Sequence, residues 1–218
     1  MKVALIQVNL GDIDNDKDHV SQSIPYDIYK YNNSNFEPRQ SLTPRLQAKI
    51  PKLFGWELNP GYDFYLYLDA NITLASPDAL EYLIEQIQDN DIVVLRHPGR
   101  PNIRQEVRYT RKGINQESMY MLSRYKGEFL KEMYDLVQED KDFVDDLLVN
   151  GGVFLYRNTE QVQSMMKEWW YYITRYIVQD QIPFPYVLKK SGIKVKVLDH
   201  VYDKWNYLSV SRHKNNRV

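Results

Sequence analysis

Short, nearly continuous apolar runs recur along the chain. Val3 to Val8 reads Val-Ala-Leu-Ile-Gln-Val, Phe64 to Leu68 reads Phe-Tyr-Leu-Tyr-Leu, and Asp91 leads into Ile-Val-Val-Leu ending at Leu95. Val153 to Tyr156 follows the same pattern later, and Lys194 to Leu198 reads as a last strand. Runs of this length, rich in branched and aromatic residues, suit strands buried on both faces. Longer mixed segments separate them. Thr43-Pro44 supplies an N-cap residue and a first-turn proline, so it opens a helix with body Arg45 to Ile50 that Pro51 kinks or ends. Ser76-Pro77-Asp78 caps a helix running to about Gln88, with acidic residues in its first turn. Asn102 to Asp142 is mostly helical. Thr159 to Val178 reads as one long helix, and another begins near Asp180 and stops near Ser191-Gly192. The polar stretch from Asn9 to Thr43 reads as a long, partly helical excursion from the sheet. Alternating strand and helix signals give an α/β fold with a mainly parallel, mixed central sheet flanked by helices. With no internal repeat or linker, residues 1–218 form a single domain in this reading.

Composition narrows the function. The chain has 218 residues, 43% apolar and 26% charged, which excludes a disordered, collagen-like or coiled-coil chain. Its 28 basic and 29 acidic residues give a net charge of −1, against duplex nucleic acid as the main partner. No apolar run reaches membrane-spanning length. The N-terminus reads as a strand rather than a signal peptide. There is no Cys, so disulfides, thiolate metal sites and Cys nucleophiles are out, which fits a reducing compartment. The 18 Tyr and 4 Trp are many for this length, and such rings suit sugar or base stacking as well as cores.

Candidate chemistry gathers where strands end. Asp69-Ala70-Asn71 follows an apolar strand, and ligands of open α/β sheets bind at carboxyl ends of strands. A carboxylate there can hold a hard cation that bridges a diphosphate, although Asp and Asn also serve ordinary turns. His97-Pro98-Gly99-Arg100 ends the third run, where Arg can pair with phosphate or sit in a solvated turn. Asn150-Gly151-Gly152 reads as a tight turn that also lets a ligand approach the backbone. Asp180-Gln181 opens a helix, as a cap or as a functional pair. His200, after the last strand, is a candidate Mn²⁺ ligand or a structural His. Asp12-x-Asp14-x-Asp16 fails as a calcium loop because Lys17 replaces the required Gly. No Gly-x-Gly-x-x-Gly, P-loop or Gly-x-Ser-x-Gly elbow is present.

From Val3 to about Tyr207, this set resembles a GT-A fold glycosyltransferase, a Rossmann-like domain. It resembles an uncharacterised-domain family related to plant mucilage and pollen glycosyltransferases. The residues that carry the likeness are Arg45-x-x-x-Lys49, Leu68-Asp69-Ala70-Asn71, His97-Pro98-x-Arg100-x-x-Ile103-x-x-Glu106, Trp169-Trp170 and Asp180-Gln181. Glycosyltransferase family 8 is a second parallel, through Asp69-Ala70-Asn71, Asn150-Gly151-Gly152-Val153, Asp180-Gln181 and His200 in that order. The chain is also similar to virus-encoded glycosyltransferase domains that decorate capsid proteins of large algal viruses. Asn71 departs from the pattern, because many relatives carry a second Asp there.

The resemblance implies transfer of a sugar from a UDP-sugar to a hydroxyl of a glycan or glycoprotein acceptor, leaning towards retention. It implies Mn²⁺ or Mg²⁺ held by Asp69, Asn71 and His200, and catalysis by Asp180 with Gln181. Arg45, Lys49 and Arg100 would surround the phosphates or build the donor pocket. Val8 and Asn9 would hold base and ribose, with Ala70, His97, Asn150, Gly151 and Gly152 lining the donor site. The domain would be soluble and cytoplasmic, in the host cytoplasm if viral, without a membrane span or nucleic-acid partner, and with room to be one part of a longer multidomain protein. A nucleotide-sugar nucleotidyltransferase is one alternative, weakened by the acidic stretch after the first strand where those enzymes carry a Gly-rich basic loop. A non-catalytic carbohydrate-binding module is another.

Overall fold

A computed structural model describes residues 1–15, 17–199 and 205–211. Six strands form one sheet in the order β2-β1-β3-β6-β5-β7. They are β1 (Val3–Asn9), β2 (Asp27–Asn32), β3 (Phe64–Asp69), β5 (Ile92–Arg96), β6 (Val149–Arg157) and β7 (Val195–Leu198). Pairings are parallel except where β6 runs antiparallel between β3 and β5. A mainly parallel mixed sheet is therefore the observed architecture. A separate antiparallel pair joins β4 (Ile72–Leu74) to β8 (Leu208–Val210).

The apolar runs alternate between two cores. Ala4 and Ile6 face a layer with Leu53, Trp169 and Phe184, contributed by α1 (Pro44–Leu58), α6 (Glu160–Arg175) and α7 (Pro183–Lys190). Val3 and Leu5 face Leu80, Leu83 and Ile87 of α2 (Ala79–Ile87), with Ile72 and Leu208 of the small pair. Burial on both faces explains why these strands read as unbroken apolar runs. A third cluster joins Ile103 and Val107 of α3 (Ile103–Asn115) to Met133 and Val137 of α5 (Leu130–Glu139) and to Ile177 and Ile182. Between them lies the short α4 (Met119–Tyr125).

Four local readings change. The stretch after β1 carries a strand, β2, and no helix among its described residues. Helix α1 continues through Pro51 to Leu58, with non-helical angles at Phe54 absorbing the kink. Asn150-Gly151-Gly152 is not a turn before a strand but part of β6. There the register against β5 jumps from Phe154 to Asn150 between Val94 and Leu95, an irregularity that side-chain-free residues accommodate. Asp180 does not cap a helix, because α7 starts three residues later with Ile182 at its N-cap.

Candidate active site

A cleft of about 440 Å³ opens at the carboxyl ends of β1 and β3. Every candidate residue within the described chain lines it: Val8, Asn9, Arg45, Lys49, Asp69, Ala70, Asn71, His97, Arg100, Asn150, Gly151, Gly152, Asp180 and Gln181. His200 lies outside the described residues. The fold thus converges on one hollow from six separate sequence segments.

Asp69, the last residue of β3, forms the floor. Two residues earlier on the same face, the Tyr67 hydroxyl donates to Asp69 Oδ1 at 2.9 Å. The β3–β6 register pairs Leu68 with Val153 and so brings Gly152 beside Asp69. A Cβ on Gly152 would lie 2.6 Å from Asp69 Oδ2, so only glycine leaves the carboxylate in place. Asn150 Oδ1 accepts the Gly152 N–H at 2.7 Å and fixes the irregular backbone. Asn71 clasps the β4–β8 pair: its Nδ2 donates to the Ser211 carbonyl at 3.0 Å and its own carbonyl accepts the Ser211 N–H at 2.8 Å. Its side-chain oxygen is the atom it can offer a cation. Asn9 closes the loop after β1 through two bonds to the Asp14 backbone, at 2.8 and 3.1 Å. Beyond it a second cavity, also about 440 Å³, shares Asn9, Asp14 and Ala70 with the cleft.

Helix α1 forms one wall. Arg45, Lys49 and Lys52 stand at i, i+4 and i+7, a single helical face. Lys49 and Lys52 both donate to Asp180 Oδ2, at 2.8 and 2.6 Å. Lys52 is 3% exposed and its ammonium lies 4.6 Å from the Tyr67 ring centroid. Trp169 Nε1 donates to the Asp180 carbonyl at 2.9 Å and anchors the backbone. Burial alone would raise the Asp180 pKa, but the two ammonium groups overcome it and hold the carboxyl at about 2. Burial pushes the Lys49 ammonium down, against the pull of Asp180. Lys52 escapes a reading that stops the helix at Pro51. Its spacing from Lys49 is the signal that would have found it.

The opposite wall follows β5. His97 Nδ1 accepts the N–H groups of Gly99 and Arg100 at 3.0 and 2.9 Å, closing the turn. Burial, then the neighbouring Arg100, push this imidazole down to about 4. His97 is therefore a neutral clamp on the turn. Arg100 donates through Nε to Glu106 and lies over the Tyr109 ring at 4.2 Å. Glu106 is 2% exposed and also accepts Gln179 Nε2 at 2.6 Å, while the Gln181 side chain bonds it as well. Thr110 Oγ1 donates to Gln179 Oε1 at 3.0 Å. Burial raises the Glu106 carboxyl despite these partners. Glu106 entered the sequence pattern without a role, and Gln179 left no signal, because its partners are 73 and 69 positions away.

Among the described residues no three His, Cys, Asp or Glu side chains gather as a metal cage. The donor set still fits a hard cation of the Mg²⁺ or Mn²⁺ type, which needs only one or two protein oxygens beside substrate phosphates. Asp69 and Asn71 supply such oxygens, and Gly152 keeps the space beside Asp69 open.

A search of curated protein sequences found no match. Among solved structures the chain is similar to a glycosyltransferase involved in glycosylation of the major capsid of PBCV-1. Identity is 9% over 90% of this chain and 81% of that one, with a TM-score of 0.47. It is similar to mouse xyloside xylosyltransferase 1 in its apo form, at 10% identity over 91% and 86% of the two chains and a TM-score of 0.48. It is also similar to A197 from STIV, at 11% identity, 100% and 98% coverage and a TM-score of 0.38. Identities this low give no residue-by-residue correspondence. No helix among the described residues is long and apolar enough to cross a membrane. The family model for nucleotide-diphospho-sugar transferases matches residues 87–218, more than half of the chain. The chain belongs to the nucleotide-diphospho-sugar transferase family and is a glycosyltransferase.

Proposed function

We propose that this glycosyltransferase moves a sugar from a UDP-sugar to an acceptor hydroxyl with retention of configuration, in a divalent-cation-dependent reaction. The observation that carries the reading is Asp180. It is a buried carboxylate kept ionised by two lysines, in the same cleft as the strand-end carboxylate Asp69.

Breaking the sugar–phosphate bond leaves oxocarbenium-like positive charge on the sugar and negative charge on the departing diphosphate. Asp69 and Asn71 would hold Mn²⁺ or Mg²⁺, which supplies charge neutralisation to the diphosphate when bound. Lys49, 18% exposed and facing the cleft, adds a positive charge on the same side. Val8 and Asn9 at the end of β1, with the cavity beyond, offer the space for ribose and base. Asp180 meets the sugar. A base working near pH 7 needs a pKa near 7, and a carboxyl held at about 2 is a poor proton acceptor. Asp180 therefore acts through its charge, favouring the cationic sugar, rather than by deprotonating the acceptor. That division favours retention over an inverting mechanism with an enzyme base. Gln181, held by Glu106, presents an amide for sugar hydroxyls.

Calorimetry with UDP, with and without Mn²⁺, tests this. Wild type should bind UDP more tightly with Mn²⁺, and Asp69→Ala should lose that increment while keeping its fold. Equal Mn²⁺-dependent binding by Asp69→Ala would remove Asp69 from the site.

A further inference from the structure

Asp69 is held at its backbone and at its side chain. Its carbonyl and that of Ile72 accept the Gln7 side-chain amide, at 3.4 and 2.8 Å. Its Oδ1 accepts the Tyr67 hydroxyl at 2.9 Å. A phenol carries a proton and an ionised carboxylate only accepts, so the direction of that bond is fixed. Oδ2 lies beside the gap that Gly152 leaves by having no Cβ. The two oxygens of this carboxylate are therefore not equivalent. One is engaged within the protein, and the other borders open space in the cleft.

Tyr67 has little freedom to release Oδ1. Residues i and i+2 of a strand share a face, so the tyrosine points the same way as the aspartate it serves. Its ring is 4% exposed, stacks on Phe154 at 5.2 Å between centroids, and lies 4.6 Å from the Lys52 ammonium. Lys52 is itself tied to Asp180. A ring packed this closely keeps one rotamer.

This restricts how Asp69 can meet a cation. Ca²⁺ takes about six to eight oxygens at roughly 2.3–2.6 Å and accepts a carboxylate through one oxygen or both. A small cation of the Mg²⁺ type demands near-octahedral geometry at about 2.0–2.1 Å, for which the bite of a single carboxylate is too narrow. We propose that Tyr67 sets the cation selectivity of the site: by engaging Oδ1 it leaves Asp69 a one-oxygen ligand through Oδ2, which suits a small octahedral cation and disfavours Ca²⁺. The inference rests on the cation-dependent sugar-transfer reading above. Tyr67 acts through Asp69 and is a positioning residue.

Calorimetric titration of UDP into the whole chain, with Mn²⁺ or with Ca²⁺, tests the selectivity. Wild type should bind UDP about tenfold more tightly with Mn²⁺ than with Ca²⁺. Tyr67→Phe keeps the ring, its stack on Phe154 and its contact with Lys52, and removes only the hydroxyl. The freed Oδ1 can then join the larger cation. UDP affinity with Ca²⁺ should rise while affinity with Mn²⁺ stays within about twofold, so the ratio falls about tenfold, the scale of one charge-assisted hydrogen bond. A tyrosine that only supports the fold predicts equal losses with both cations and an unchanged ratio, and that result overturns the proposal. Equal wild-type affinity with the two cations also overturns it, which keeps the test alive if Tyr67→Phe does not fold. Wild type that binds UDP no more tightly with either cation than without one loses the cation-dependent reading, and the selectivity with it.

Discussion

Asp180 and Glu106 are both buried carboxylates lining one cleft, and their electrostatics diverge. Burial raises the pKa of each. At Asp180 two ammonium groups on α1 reverse that push and hold the group at about 2. At Glu106 one guanidinium and two amides do not, and the carboxyl stays above its usual range. The number of full charges within reach decides between them, because amides donate hydrogen bonds but bring no net charge. One carboxylate is thereby a permanent charge suited to a cationic sugar. The other is a hub that ties the β5 turn, through Arg100, to Gln179 and Gln181 beside Asp180.

The largest test removes the permanent charge. Asp180→Asn should lower turnover, measured as UDP release in the presence of acceptor, by about two orders of magnitude or more. It also leaves Lys52 buried without a counter-ion, so thermal unfolding should show a loss of about 3 kcal/mol. A residue serving only as a helix cap would cost about 1 kcal/mol and leave turnover intact.

A sharper test makes Asp180 resemble Glu106. Lys52→Met removes one of its two cations, so the Asp180 pKa should rise. In wild type the carboxylate stays charged down to about pH 2, and the rate should carry no acid limb from it in the range where the protein is folded. In Lys52→Met the acid limb should move upwards. Superimposable pH–rate profiles for the two proteins would deny Lys52 this role.

The converse change at the hub should be milder. Glu106→Gln keeps the shape and loses the charge that Arg100 pairs with, a cost of about 2 kcal/mol in chemical denaturation. Turnover should fall less than in Asp180→Asn, because the Glu106 carboxylate is tied up by Arg100, Gln179 and Gln181.

The smallest effect concerns the turn clamped by His97. The folded imidazole protonates at about 4 and the unfolded one near 6.5. Between these values the unfolded chain binds more protons, so stability should fall as pH drops through that window and rise again as pH increases. His97→Gln should flatten this part of the stability profile. An unchanged slope in that variant would mean that another group sets it.

How much of this was legible in the sequence depends on the range of the interaction involved. The buried strands showed themselves because both faces of the sheet are covered, which makes their composition continuous rather than alternating. Short motifs at strand ends marked Asp69 and Arg100, since topology forces strand ends of a mainly parallel sheet towards one edge, whereas Asp180 stood out only as the first residue of a helical pattern. β2 was missed because its residues are exposed or half-buried, so Asp-Ile-Tyr-Lys-Tyr-Asn carries no apolar run. The glycines after Asn150 were read as a turn because local chemistry cannot tell a turn from an irregular strand. Only the register between β6 and β3 shows that Gly152 makes room for Asp69.

The sequence by itself determined the buried apolar strands, most of the helices and the residue types available for chemistry, because these follow from local periodicity and composition. Tertiary structure alone decided their charge states and partners. Lys49 and Lys52 meet Asp180 from 131 and 128 positions away in the chain, and that meeting fixes its ionisation. A pKa depends on burial and on charges within a few ångströms, and neither quantity is a property of sequence distance.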